Sequence, residues 1–257
     1  LPLDIVPGVI VYWLLLGLVA LFNRNSHFIT RFIFPAAAFG SLVLAIAAAL
    51  SLGGAANTAV LPLGLPDLPF HLRLDALSAF FLLLLGAAST GISLYSAGYF
   101  RDMAGGTLAL LCFEYHLFLS GMALVFVADD AYLFMVAWET MALSSYFLVT
   151  TDHKVPEIRR AGFLYLLIAH VGAIAILMCF GVMQGGHGDY TFATMREVKL
   201  DAFWASITFL LALFGFGAKA GILPLHVWLP EAHPAAPSPI SAMMSGIMLK
   251  TAIYGIL

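Results

Sequence analysis

Charged side chains are scarce in this sequence of 257 residues: only 10% of the residues are Asp, Glu, Lys or Arg, whereas 62% are hydrophobic. A soluble domain of this size needs far more polar surface to stay in solution, so the composition predicts a protein embedded in a lipid bilayer. The net charge is −3, and no basic face indicates a nucleic-acid partner.

Cysteine is also scarce, and motifs for cofactors are missing. Cys112 and Cys179 lie in separate apolar runs and form no CxxC motif, which predicts two small buried side chains rather than a disulfide or an iron–sulfur ligand set. Glycine-rich phosphate loops, HExxH and GxSxG are absent, and His226 and His233 lack zinc-ligand spacing. We therefore expect no cofactor, metal or catalytic residue in this chain, and any redox chemistry to lie on other chains.

Long apolar runs dominate the remainder. A membrane-spanning helix needs about 20 apolar residues, and the runs that meet or approach this length are 5–22, 32–52, 76–99, 107–128, 131–151, 161–184, 202–225 and 239–257. They predict an all-α polytopic membrane protein with about eight transmembrane helices. The stretch Leu1–Leu21 lacks a basic segment and a cleavage site, so it is expected to be a spanning helix rather than a signal peptide. The last run is uncapped at Leu257, so we expect the sequence to stop inside a helix.

The loop charges predict an orientation. With eight alternating helices, one side collects Arg24, Arg31, Arg101, Lys154, Arg159 and Arg160, and the other collects Arg73, Arg196 and Lys199. Positive residues favour the cytoplasmic side, so the N-terminus is expected to be periplasmic.

Ionisable residues inside the runs are the main functional signal, because a charge at membrane depth needs a partner or a water-filled cavity. Glu139 and Lys250 lie near the predicted midplane, and Lys219 lies late in its run. A desolvated ammonium loses its proton readily unless a carboxylate stabilises it, so a Glu139–Lys219 pair would act as a proton switch. The alternative is an ion pair that only locks two helices together.

Other polar residues in the runs are weaker candidates. Glu114 is a possible relay group, but it could equally pair with a neighbouring subunit or cap a water pocket. His116 and His170 are possible proton relays, although histidines in apolar runs more often have purely structural bonds.

Helix interruption is the second signal. Proline removes a backbone donor, and freed backbone is tolerated in a membrane only where it lines a cavity or is covered by protein. Residues 216–239 contain five prolines, of which Pro224 and Pro230 mark the predicted break, and broken helices of this kind mark ion sites in transporters. His226, Glu231 and His233 follow and could collect protons. An ordinary proline-rich turn with a solvated loop is the alternative.

Three segments resemble a known family. KAGILPLHVWLPEAHPAAPSP (Lys219–Pro239), ISAMMSGIMLKTAIY (Ile240–Tyr254) and WETMALSSYFLV (Trp138–Val149) look like the antiporter-like proton-conducting membrane subunits of respiratory complex I and its relatives. Within this family the wording APSPISAMMSG (236–246) and MLKTAIYG (248–255) favours the hydrogenase-4 and formate hydrogenlyase branch. The specific likeness covers residues 130–257, and the earlier helices agree only in pattern.

The resemblance implies a fold of two inverted five-helix repeats. Residues 1–106 would form helices 1–3, and residues 107–257 would form the first proton-translocating repeat, helices 4–8, cut short before the second. Glu139, Lys219 and Lys250 match the family's proton-translocating residues. The implied setting is the bacterial inner membrane, with other membrane subunits and a peripheral hydrogenase or dehydrogenase arm as partners. A sodium/proton antiporter subunit and a purely structural membrane anchor are the alternatives.

Overall fold

The computed structural model describes the backbone of residues 2–257 and the side chains of residues 3–257; Leu1, the first residue of the first apolar stretch, lies outside this range. The chain is mainly helical. In chain order its helices are α1 (Pro2–Asn23), α2 (Ser26–Ser51), α3 (Ala76–Tyr99), α4 (Gly105–Val127), α5 (Ala131–Val149), α6 (Pro156–Met183), the short α7 (Phe192–Glu197), α8 (Ala202–Ala220), α9 (Leu229–Ala235) and α10 (238–256). Both α2 and α10 contain a π-helical segment, Ile29–Ile33 and Met244–Met248 respectively.

Seven helical segments in the described residues are long and apolar enough to cross a membrane: α1 to α6, and Ala202–Ala235, which includes both α8 and α9. The multi-pass membrane architecture predicted from the sequence is therefore confirmed. The eighth predicted run forms α10, which is not among the seven. Its serines, Pro239 and Lys250 dilute its apolar character.

Three of the long helices begin at an aspartate. Asp75, Asp130 and Asp201 precede α3, α5 and α8, and each accepts a hydrogen bond from the backbone amide three residues later, at 3.0, 2.6 and 2.9 Å. A carboxylate at this position satisfies one of the amides that the first helical turn leaves without a partner. These caps explain why the predicted runs 76–99 and 131–151 start at the observed residues.

The predicted loop between Gly53 and Asp75 contains a β-hairpin, which the sequence interpretation missed. Strands β1 (Asn57–Leu65) and β2 (Leu68–Leu74) pair antiparallel, with an irregularity between Leu61 and Gly64. Prolines in this stretch hide the strand pattern. The buried Asp130 ties the hairpin to α5, because its carboxylate also accepts the amide of His71 at 2.7 Å.

The core is centred on α4, the most buried of the seven spanning segments. It packs between α1 and α5, while α2 packs on α3 and α6 packs on α8. The contacts of α5 with α6, and of α6 with α8, position the polar residues described next.

Candidate functional site

The antiparallel helices α5 and α6 carry polar side chains at two levels along their contact. The upper level is Glu139 on α5 with His170 on α6, whose Oε2 and Nε2 atoms lie 3.4 Å apart; the side chains are 32% and 45% exposed. Nδ1 of His170 lies 3.1 Å from the carbonyl oxygen of Leu166. Because a carbonyl only accepts, this bond requires a proton on Nδ1, and a second proton on Nε2 makes the ring an imidazolium. The pair can therefore hold one exchangeable proton on either partner.

The lower level is buried and joins three helices. Nζ of Lys219, on α8, donates to the hydroxyl of Tyr165 on α6 at 2.6 Å, and that hydroxyl lies 2.5 Å from Oγ of Ser145 on α5. Lys219 is 2% exposed, and the other two side chains are equally inaccessible. The ammonium also lies 4.9 Å from the centroid of the Tyr165 ring, within cation–π range. The buried lysine is therefore bonded to a neutral hydroxyl, which is bonded in turn to a second one.

The structure does not bring Glu139 and Lys219 together as an ion pair. Within the described residues no carboxylate lies within 4.0 Å of the Lys219 nitrogen, and Glu139 has His170 as its partner. Glu139 precedes Ser145 by six residues, or about 9 Å along α5 at 1.5 Å per residue. The two candidate groups therefore lie on neighbouring levels of one helix contact.

Two glycines bring α6 and α8 close enough to form the lower level. A Cβ atom at Gly215 would lie 2.7 Å from the carbonyl oxygen of Gly172 and 2.6 Å from Cγ1 of Ile176, and a Cβ at Gly172 would lie 3.0 Å from the carbonyl oxygen of Gly215. Lys219 follows Gly215 by one helical turn. The close approach therefore brings the Lys219 side chain into contact with α6.

The predicted break in the seventh span is present. Helix α8 ends at Gly221, which adopts the left-handed conformation with φ of 73°. Pro224 lies in the following turn, and a 3-10 segment (Leu225–Trp228) leads into α9. Pro230 occupies the first turn of α9, where its missing amide leaves no hydrogen bond unmade. The indole of Trp228 donates to the carbonyl of Ala218 at 2.9 Å, so it satisfies one acceptor at the end of α8.

The two histidines after the break are half-buried rather than surface-exposed. Nδ1 of His233 lies 3.0 Å from Oγ of Ser241 on α10, and its ring stacks on Trp228 at 6.3 Å between centroids. Trp228 in turn packs on Tyr165 at 4.9 Å. His226 contacts no described hydrogen-bond partner through its buried Nδ1. An aromatic column therefore runs from the lower level to His233.

The remaining predicted site residues are not joined to either level. Lys250 is exposed, and its Nζ donates to the carbonyl of Ser245, within the π-helical segment of α10, at 2.5 Å. Glu114 is half-buried on α4, and no described residue bonds it. His116 is fully buried, with Nδ1 2.7 Å from the carbonyl oxygen of Cys112 and no described partner for Nε2.

Sequence reasoning missed Tyr165 and Ser145, because it searched the apolar runs for charges and both side chains are neutral. The available signal was the position of Tyr165, a polar-tipped residue five places before His170 in the same apolar run. Cys112 and Cys179 are buried and not disulfide-bonded, as predicted. The residues that the structure describes include no group of three or more His, Cys, Asp or Glu side chains able to hold a metal ion.

Comparisons with known proteins identify relatives of this chain. Residues 128–257 match the family described as NADH:quinone oxidoreductase/Mrp antiporter, transmembrane. The chain is 47% identical over 186 residues to hydrogenase-4 component B of Escherichia coli, an alignment that covers 72% of this chain and 28% of that protein.

Two solved structures share the fold. A chain of an archaeal membrane-bound sulfane sulfur reductase, a respiratory membrane complex, matches with a TM-score of 0.80 and 25% identity, over 97% of this chain and 39% of that one. A chain of the Mrp complex from Dietzia sp. DQ12-45-1b matches with a TM-score of 0.83 and 21% identity, over 98% and 47%. This chain therefore spans less than half the length of each of these relatives.

Proposed function

This chain belongs to the NADH:quinone oxidoreductase/Mrp antiporter family of membrane proteins, and from this premise we propose that it translocates protons as a membrane subunit of a hydrogenase-4-type or complex I-like oxidoreductase. The observation that supports the proposal is the buried side chain of Lys219, which is bonded to the neutral hydroxyl of Tyr165 beside a broken helix. An ionisable group fixed in this way at membrane depth is typical of an ion pathway.

The upper level supplies the second titratable pair. The Glu139–His170 pair is partly exposed and can gain or lose a proton, and its net charge changes when it does. If the separation between the charges of the two levels is of the same order as the rise of about 9 Å from Glu139 to Ser145, they interact with an energy of order 2 kcal/mol at an effective dielectric constant of about 20. An energy of this size changes the ratio of protonated to neutral Lys219 more than tenfold, without direct contact between Lys219 and the Glu139–His170 pair. We therefore place the proton switch between two levels rather than within one ion pair.

The rest of the route follows from the same proposal. His226 and His233 lie next to the break and would relay protons to or from Lys219. Lys250 and Glu114 would carry protons before or after Lys219 on the same route. Residues 107–257 would form the first translocating repeat and residues 1–106 the preceding helices, with a second repeat in the longer protein.

The proposed setting is a bacterial inner membrane with a periplasmic N-terminus. Other membrane subunits would adjoin this chain, and a peripheral hydrogenase or dehydrogenase arm would supply the electron transfer that drives translocation. The likeness to hydrogenase-4 component B supports this arm. The likeness to the Mrp complex supports the runner-up function, a subunit of a multi-subunit sodium/proton antiporter.

The experiment that tests the proposal uses the tagged full-length protein, purified with its partners from mildly solubilised membranes. Mass spectrometry should identify hydrogenase or dehydrogenase subunits, and the complex in proteoliposomes should acidify or alkalinise the lumen when electrons flow. Recovery of small membrane subunits alone, with sodium-driven proton movement, would support the antiporter instead. An intact redox complex that moves no protons would contradict the proposal.

A further inference from the structure

We propose that Tyr165 is the positioning residue that stabilises the charged form of Lys219. Through its hydrogen bond to Ser145, Tyr165 also couples the charge of Lys219 to α5. The inference rests on the proposed function, in which Lys219 carries the proton.

The burial of Lys219 makes an acceptor essential. An ammonium removed from water is strongly destabilised unless a hydrogen bond compensates. In the part of the chain that the structure describes, the acceptor bonded to Nζ is the hydroxyl of Tyr165, at 2.6 Å. The cation–π contact with the same ring adds a second favourable interaction from the same residue. One side chain therefore provides most of the stabilisation of this cation.

The hydroxyl bonds have a direction that depends on the charge of Lys219. When Lys219 is charged, its N–H donates to the Tyr165 oxygen, which leaves the Tyr165 O–H to donate to another acceptor. Oγ of Ser145 at 2.5 Å is a stronger acceptor than the thioether Sδ of Met248 at 3.6 Å, so the O–H points to Ser145, whose own O–H donates to the carbonyl of Met141 at 2.7 Å. A neutral amine instead offers a lone pair, which can accept the Tyr165 O–H. Loss of the proton therefore turns the Tyr165 hydroxyl away from α5, the helix that also carries Glu139.

Tyr165 is held in place independently of Lys219. Its ring packs against Trp228 at 4.9 Å, and Trp228 is anchored by its bond to the carbonyl of Ala218. The acceptor therefore stays where it is when the lysine side chain moves, so that Lys219 is stabilised as a cation in one position only. A fixed acceptor of this kind sets the position at which the proton is loaded.

No other described group near Lys219 takes this role. Apart from Tyr165, none of the described titratable or charged residues on the surrounding elements forms a hydrogen bond or ion pair with Lys219. These residues are Tyr132, Glu139 and Tyr146 on α5, Glu157, Arg159, Arg160, His170 and Cys179 on α6, His226 on the 3-10 segment, Glu231 and His233 on α9, and Lys250 and Tyr254 on α10. The chain also contains a structural counterpart. Tyr115 and Ser93 share a buried hydroxyl bond of 2.9 Å between α4 and α3 without a lysine.

The test is Tyr165→Phe in the full-length complex, with proton translocation in proteoliposomes measured across a range of pH. The substitution keeps the ring and removes only the hydroxyl. Loss of a hydrogen bond to a charged group reduces the ratio of charged to neutral amine by roughly tenfold or more. We therefore expect the translocation profile to move toward acidic pH by about one unit, with a lower maximal rate, while assembly and redox activity stay unchanged.

The matched control is Tyr115→Phe, which removes the same kind of buried bond away from any lysine and should leave the pH profile in place. A Tyr165→Phe profile that coincides with wild type would overturn the inference and leave the proposed function standing. A wild-type complex that translocates no protons would instead remove the proposed function itself.

A second pair of variants covers the case in which Tyr165→Phe fails to assemble. Ser145→Ala should shift the pH profile of translocation in the same direction by a smaller amount. Ser145→Thr, which keeps the hydroxyl, should have the wild-type profile. Ser144→Ala is the control, since Ser144 is equally buried and bonds only to carbonyls of its own helix. Equal profiles for Ser145→Ala and Ser144→Ala would contradict the inference.

Discussion

The two levels of the α5–α6 contact stabilise polar groups at membrane depth in different ways. Glu139 and His170 are about one-third to one-half exposed and form an ion pair when the ring is protonated. Lys219 is almost completely buried and is bonded to a neutral hydroxyl. A full ion pair in a buried site would hold its proton firmly and carry a large desolvation penalty. Under the proposed function, the partly exposed level would set the field, whereas the buried level would hold the proton that the field moves.

The largest effect should come from separating α8 from α6. Gly215→Ala places a Cβ against the carbonyl of Gly172 and against Ile176, so the helices must move apart. Overpacking of this kind costs about 1–3 kcal/mol, and it withdraws Lys219 from Tyr165. We expect translocation to be lost and thermal stability in detergent to fall, as followed by fluorescence-detected size-exclusion chromatography.

Gly181→Ala is the control for this substitution. It lies on α6, and a Cβ there would have no atom within 4 Å. The variant should be neutral or slightly stabilised, because alanine is the better helix former. If Gly215→Ala and Gly181→Ala had the same translocation rate and the same thermal stability, the close approach of α6 and α8 would not be what holds Lys219 in position.

A smaller effect should follow from neutralising the upper level alone. Glu139→Gln removes the carboxylate that pairs with His170 and leaves the lower level intact. We expect assembly to be normal and proton translocation in proteoliposomes to fall about tenfold, because the field acting on Lys219 no longer changes. Glu157→Gln is the matched control, since that exposed carboxylate lies in the first turn of α6 and has no place in the proposed route. An equal loss in both variants would show that the Glu139–His170 pair has no special role.

The smallest effect should come from a group that belongs to neither level. Burial alone would raise the pKa of Asp75, but the Ser78 amide and the Arg73 guanidinium outweigh it and lower this pKa below its ordinary value of 3.8. The ionised carboxylate therefore stabilises the fold at pH values above the ordinary pKa of 3.8. This stabilisation is lost as the pH falls through the lowered pKa.

Asp75→Ala should accordingly cost about 1 kcal/mol at neutral pH through the lost helix cap. The difference from wild type should shrink in strong acid, as measured by thermal unfolding at several pH values. Translocation measured at neutral pH should remain near the wild-type rate. A loss of translocation as large as that expected for Glu139→Gln would show that the levels are not the sensitive part of the molecule.

The sequence allowed much of this architecture to be predicted, because long apolar runs, capping aspartates and prolines act locally. Seven of the eight predicted spans and the break near Pro224 needed no tertiary information. The partners of Glu139 and Lys219 could not be predicted without tertiary information. The bonds from His170 to Glu139 and from Tyr165 to Lys219 depend on how α5, α6 and α8 align.

The approach of Gly172 and Gly215 that sets this alignment is not visible in one sequence, because single glycines in helices have many causes. The hairpin at 57–74 was missed for a related reason. Its pairing is stabilised by Asp130, which lies more than 50 residues later in the chain.

The most direct test of the central claim is proton translocation by the full-length complex carrying Lys219→Arg. Arginine keeps the positive charge but does not release its proton under physiological conditions. If Lys219 is a proton carrier, the variant should assemble and transfer electrons but translocate no protons. Wild-type translocation in the Lys219→Arg complex would contradict the account, because Lys219 would then act only as a fixed charge.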